Sequence, residues 1–98
     1  MQKKTNVQVQ KFYQAVLSLQ TEEECANFFD DICSIQELEA IIQRFEVARL
    51  LAEGKSYIEI NQATGASTAT ICRVNKCLMY GEGYRVVLDK TAADQQGE

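Results

Sequence analysis

The chain has no histidine and no proline, only five glycines, and four cysteines of which no two form a C-x-x-C pair. Each scarcity removes a class of function. Without histidine, the side chain most used for proton transfer near neutral pH is missing. No activated-nucleophile pattern and no glycine-rich phosphate loop takes its place. A zinc site would have to gather Cys25, Cys33, Cys72 and Cys77 from irregular spacings, so no metal and no cofactor is expected. The same spacings suggest no disulfide framework, and the expected state of these residues is a small buried or half-buried thiol. The Asp30-Asp31 pair is a poor clamp for acid-base or metal chemistry, because adjacent helical residues point about 100° apart. These absences together describe a protein that is not an enzyme.

Long apolar runs are missing too. None approaches the roughly 18 residues of a spanning helix, and the start MQKKTNVQVQ lacks the apolar stretch of a secretion signal. A soluble cytoplasmic protein without a membrane partner follows. With no proline and few glycines, long loops have little to be made from. A length of 98 residues sets one domain, large enough for a core but only modestly stable. Apolar residues make up 46% of the chain, enough to fold with a surplus for a partner surface.

The net charge of -4 speaks against nucleic acid until it is divided along the chain. Residues 20 to 53 carry nine acids against Arg44 and Arg49. Residues 54 to 90 carry five bases against Glu59, Glu82 and Asp89. The N-terminus adds Lys3, Lys4 and Lys11, and the tail adds Asp94 and Glu98. Phosphate binding depends on the local face more than on the total, and a mildly basic C-terminal third predicts modest non-specific affinity.

Helical periodicity runs through the chain. Val9, Phe12, Tyr13, Val16 and Leu17 form one stripe over roughly residues 5 to 19, with the first four or five residues frayed. Thr21 and Glu24 make a capping box before the stripe Cys25, Phe28, Phe29, Ile32, Cys33. Ser34 and Glu37 make a second box, and Ser56 and Glu59 a third. Between them the longest helix should turn Ile35, Leu38, Ile41, Ile42, Phe45, Ala48 and Leu50 or Leu51 inward and stop at Gly54. Tyr84 to Leu88 leans toward strand by composition but is assigned here to a final helix. The aromatics Phe12, Tyr13, Phe28, Phe29 and Phe45 belong to a core or a dimer interface. Residues 91 to 98, TAADQQGE, read as a flexible tail, so the folded domain spans residues 1 to 90.

The segment SYIEINQATGASTATICRVNK, Ser56 to Lys76, carries the functional signal. A short helix over Tyr57 to Ala63 presents Ile58 and Ile60, and Gly65 can take the positive φ of a sharp turn. Ser67 caps a second helix, on which Ile71 and Val74 fall at the spacings that lock a helix-turn-helix, about residues 56 to 79. Asn61 departs from the usual small residue at the crossing, which a slightly wider crossing would accommodate. Ile71, Val74 and Leu78 share the inner face. Ala69, Arg73, Lys76 and Tyr80 lie opposite, flanked by Thr70 and Cys72. Small residues at Ser67, Thr68 and Ala69 would let this helix enter a major groove, with hydroxyls and Arg73 at base edges and Lys76 on phosphate. Lys55, Ser56 and Tyr57, at the entry to the first helix, are candidate phosphate contacts. Two short helices around a glycine also serve as a plain packing corner or a protein-docking surface in many all-α proteins.

The residues resemble the Trp repressor helix-turn-helix region, through Leu50-Leu51, Ser56, Glu59, Gly65-Ala66, Ala69-Thr70-Ile71 and Arg73. The likeness to the Trp-repressor-related YerC/YecD group of bacterial proteins is closer. It extends through FFDDICS, QRFEVARLLAEGKSY, TGASTATICRV and YGEGY, over roughly residues 9 to 88. The resemblance implies an all-α, six-helix subunit in an intertwined homodimer, a transcriptional regulator of repressor type that reads a palindromic operator in double-stranded DNA. It also implies an effector site using Arg73 and, with one residue of slip, Arg44. In the Trp repressor the residue after the reading-helix arginine is glycine, which leaves room for an indole. Here it is Val74, so tryptophan is not expected to bind. The alternative is a helical protein-interaction module that keeps the fold without specific DNA binding, favoured by the acidic block at Glu22 to Glu39 and the pI near 4.8.

Overall fold

The structure, a computed structural model, describes residues 6–96. Six α-helices follow one another: α1 (Val7–Leu17), α2 (Glu22–Ile32), α3 (Ile35–Ala52), α4 (Tyr57–Thr64), α5 (Thr68–Tyr80) and α6 (Gly83–Gln96). No strand occurs among the described residues. The expected fraying of the first residues lies outside them.

Polar caps start the helices where the sequence places them. The Asn6 carboxamide oxygen accepts from Val9 N–H at 2.8 Å. The Thr21 hydroxyl accepts from Glu24 N–H at 3.0 Å, while the Glu24 carboxylate accepts from Gln20 N–H rather than from Thr21, which modifies the expected box. Ser34 with Glu37 and Ser56 with Glu59 make the full reciprocal pair. At the end of α3, Gly54 takes φ +91. Gly54 N–H donates to Leu51 O and Lys55 N–H to Leu50 O, closing the last turn as glycine permits.

The chain divides into two compact units, Met1–Leu38 and Glu39–Glu98. In the first, α1 and α2 bury no residue at all. Their contact is aromatic: Phe12 lies 6.3 Å from Phe28 between ring centroids, and Phe28 meets Phe29 edge-on at 5.3 Å. Phe28 and Phe29 are half-buried, while Tyr13 and Leu17 are exposed.

The second unit holds the core. Val47, Ala48 and Leu50 of α3, Ile60 of α4, Ala66 of the following turn, Ile71, Val74 and Leu78 of α5, and Leu88 of α6 form one buried cluster. Phe45, Leu51, Tyr57 and Tyr84 pack against it. The inward face expected of α3 is therefore only partly found. Ile35, Ile41 and Ile42 are exposed, and burial begins with the second half of the helix. Helical spacing marks an apolar stripe, but it does not say whether this chain or another covers it.

Two further expectations change. Cys25, Cys72 and Cys77 are exposed and only Cys33 is half-buried, since the core is filled by Val, Leu, Ile and Ala side chains. The helix α6 runs to Gln96, past the tail boundary at residue 90. The segment 91–96 contains no glycine or proline, and the Thr91 hydroxyl donates to the carbonyls of Val87 and Leu88. Residues 97 and 98 lie outside the described part.

Candidate nucleic-acid interface

The site is built around the turn between α4 and α5. Ile60 and Ile71 are fully buried and Ala66, in the turn itself, is 1% exposed. These three side chains clamp the two helices together. Gly65 takes φ +76 and donates its N–H to Asn61 O at 2.8 Å, as the sharp reversal requires.

Three polar side chains then fix the turn. The Thr64 hydroxyl donates to Ile60 O at 2.8 Å and accepts from Ala66 N–H at 3.1 Å. The Asn61 carboxamide donates to Ala66 O at 2.8 Å. From α3, the Gln43 carboxamide donates to Thr64 O at 3.1 Å. Asn61 is thus a fastener of the turn rather than a tolerated misfit. Its signal was present in the sequence, since an amide five residues before a turn carbonyl can reach it. Gln43 left no such signal, because it acts across 21 residues of chain.

The second helix of the motif, α5, is seated by Ile71, Val74 and Leu78, all buried. Ser67 caps it, accepting from Thr70 N–H at 3.2 Å. Its opening N–H groups form a partially positive end suited to a phosphate or a base edge. Ser67, Thr68, Ala69, Cys72, Arg73 and Lys76 are exposed, so the outward face is the one read from the wheel. The helix contains no carboxylate.

Not every candidate stands equally free. Thr70 is half-buried and receives a hydrogen bond from the Ser67 hydroxyl. Tyr57 packs its ring against the core, while Lys55 and Ser56 are exposed beside it. Ser56 is occupied in the box with Glu59, whose carboxyl is held below its ordinary value of 4.5 by the Ser56 N–H, with Lys55 adding to the effect.

Arg44 and Arg73 come together on one cavity of about 480 Å³. Ala40, Gln43, Thr70, Val74, Cys77 and Tyr84 complete its lining. The only ion pairs among the described residues belong to Arg49, which bonds Glu46 and Glu53, each at 2.6 Å. Arg49 is thereby committed to α3 and the residue that follows it, and its hydrogen bond holds the Glu46 carboxyl below the ordinary carboxylate value. No ion pair of Arg44, Arg73 or Lys76 occurs among the described residues, so their charge is not cancelled nearby.

The relatives of this chain agree with one another. The profile of the Trp repressor protein family matches residues 7–92. The uncharacterized protein YerC of Bacillus subtilis is 49% identical over 84 residues, 85% of this chain and 81% of that protein. A TrpR-like protein from Eubacterium eligens superposes with a TM-score of 0.85 at 45% identity, covering 89% of this chain and 91% of that one. A Staphylococcus aureus protein described as a candidate Trp repressor superposes at 0.86 and 38% identity, covering 90% and 89%. A family profile that matches residues 7–92, and a relative 49% identical over 85% of the chain, place this chain in the Trp repressor family.

Proposed function

We propose that the protein is a sequence-specific DNA-binding transcriptional regulator, a repressor that acts as a homodimer on a palindromic operator and does not answer to tryptophan. The outer face of α5 carries this reading. It is capped, small in its first turn, free of carboxylates, and bears Arg73 and Lys76. Such a helix can enter the major groove, with Arg73 at base edges and Lys76 on a phosphate. Lys55, Ser56 and the Tyr57 hydroxyl are the flanking phosphate contacts, and Ser67, Thr68, Ala69 and Thr70 line the groove entry.

The exposed apolar residues of α1, of α2 and of the first half of α3 support the homodimer, since Leu17, Ile32, Ile35 and Ile42 are each at least half exposed. Two-fold symmetry would set half-sites about 10 base pairs apart. Val74 stands in the wall of the Arg44–Arg73 cavity, where the Trp repressor has a glycine, and its branched side chain narrows the room there for an indole. Any effector held by Arg44 and Arg73 is then an anion without that ring. The protein acts by binding rather than by catalysis.

Selection of bound fragments from sheared genomic DNA, at near-physiological salt, tests this reading. A recovered palindrome supports it. Arg73→Ala should then lose about 1–3 kcal/mol and relax the preference at one base position, while Lys76→Ala should weaken all sequences alike and reduce the salt slope by about 1. Retained affinity in both variants would count against the reading-helix assignment. A protein that enriches no sequence instead favours the protein-interaction module, whose docking surface would include the acidic start of α2, Glu22, Glu23 and Glu24.

A further inference from the structure

We infer that Gln43 is a positioning residue for DNA specificity, which holds the α4–α5 turn from outside the motif and so sets the angle at which α5 presents its reading face. The inference rests on the DNA-binding reading above.

The argument starts from the turn carbonyls. Thr64 O and Ala66 O flank Gly65, and each is held by one carboxamide: Ala66 O by Asn61 at 2.8 Å, Thr64 O by Gln43 at 3.1 Å. Asn61 belongs to α4 and moves with it. Gln43 belongs to α3, which supplies Val47, Ala48 and Leu50 to the core. Among the described residues, Gln43 is the side chain that ties the turn to α3 by a directed bond. Packing does not explain its presence. The side chain is only half-buried and stands between two cavities, one lined by Arg44 and Arg73, the other by Glu39, Ile42, Glu46, Ala63 and Thr64. A methionine of similar volume would fill the same space.

Ser67, whose hydroxyl caps α5, follows Ala66 directly. A turn that rocks about Gly65 therefore tilts the first turn of α5, where Thr68 and Ala69 sit. Contacts to phosphate tolerate such tilt because long cationic side chains adapt. Base-edge contacts do not, because their hydrogen bonds are directional.

The test uses the full-length protein with Gln43→Met, which removes the donor, and Gln43→Glu, which sets a carboxylate against Thr64 O. Two readouts are needed. The first is amide exchange in free protein. Gly65 and Ala66 should exchange about tenfold faster in Gln43→Met, the factor carried by one net hydrogen bond, while Ile71, Val74 and Leu78 keep wild-type rates. The second is binding to the selected site and to random duplex over a salt series. The ratio of specific to random affinity should fall about tenfold with the salt slope unchanged, and further in Gln43→Glu. Unchanged exchange at Gly65 and Ala66 overturns the inference, as does faster exchange with an unchanged affinity ratio. Equal loss on both DNAs, or global loss of protection, shows Gln43 to be merely structural and also overturns it. A wild-type protein that selects no sequence refutes the DNA reading and the specificity part of this one. The exchange rates still decide whether Gln43 holds the turn.

Discussion

Residues 6–38 and residues 39–96 begin their helices by the same means and differ in what they bury. The Thr21 cap of α2 in the first region and the Ser67 cap of α5 in the second each accept an N–H from three residues on, at 3.0 and 3.2 Å. Yet α1 and α2 have no fully buried residue, and among the described residues the nine buried apolar ones all lie in the second region. Local signals thus suffice to start helices in both places, but only one region stabilises them with its own core. Helices of eleven residues are marginal without packing. Within the first region the aromatic contacts of Phe12, Phe28 and Phe29 are the packing these two helices have to draw on.

The comparison can be broken most severely at the core. Ile71→Ala should cost about 2–5 kcal/mol, read as a lower denaturant midpoint, because the residue is fully buried against neighbours on other helices. A loss below about 1 kcal/mol would mean that the second region is no better packed than the first.

The next test concerns the uncovered face. Ile35 is 77% exposed at the start of α3, where an acid suits the helix dipole. Within one chain, Ile35→Asp should therefore change little. If a second copy covers that face, dimer dissociation measured by sedimentation equilibrium should tighten or weaken with it, and the expected result is weakening by about 2 kcal/mol, roughly thirtyfold. An unaltered dimer would remove Ile35 from the interface.

The smallest effect is at a cap. Glu59 has its pKa lowered in the folded protein, so its contribution is present above the ordinary value of 4.5 and fades as pH falls through the lower folded value. Glu59→Gln should melt slightly below wild type at neutral pH, and the gap should close in acid. A gap that stays constant down to pH 3 would show that the charge is not what the box uses.

Much of this was legible in the sequence, for identifiable reasons. Ser56, Ser67 and Gly65 act within a few residues of themselves, so their roles follow from type and spacing. Ile71, Val74 and Leu78 lie on one helical face, and the helix buries that face. The uncovered half of α3 was not legible, because periodicity gives a direction and not a partner. The β-branched run near Val86 is helical because its neighbours in α6 are, and Leu88 packs on the core. The Gln43 bond to Thr64 was out of reach of any local pattern. Of the candidate contacts, Ser67, Thr68, Ala69, Arg73 and Lys76 stand on an exposed face, whereas Thr70 and Tyr57 are partly drawn inward.

The separation of charge has a kinetic meaning. The acids cluster at the start of α2, and α5 has none. For a DNA reader, a net charge of -4 would weaken the attraction to bulk chromosome and shorten each stay there. Little of it would be stored on unrelated sequence, so a larger share would stay in free solution. Occupancy of its target would then follow the concentration of the protein closely, and a small change in synthesis would be felt at the operator without a large reservoir to drain or fill.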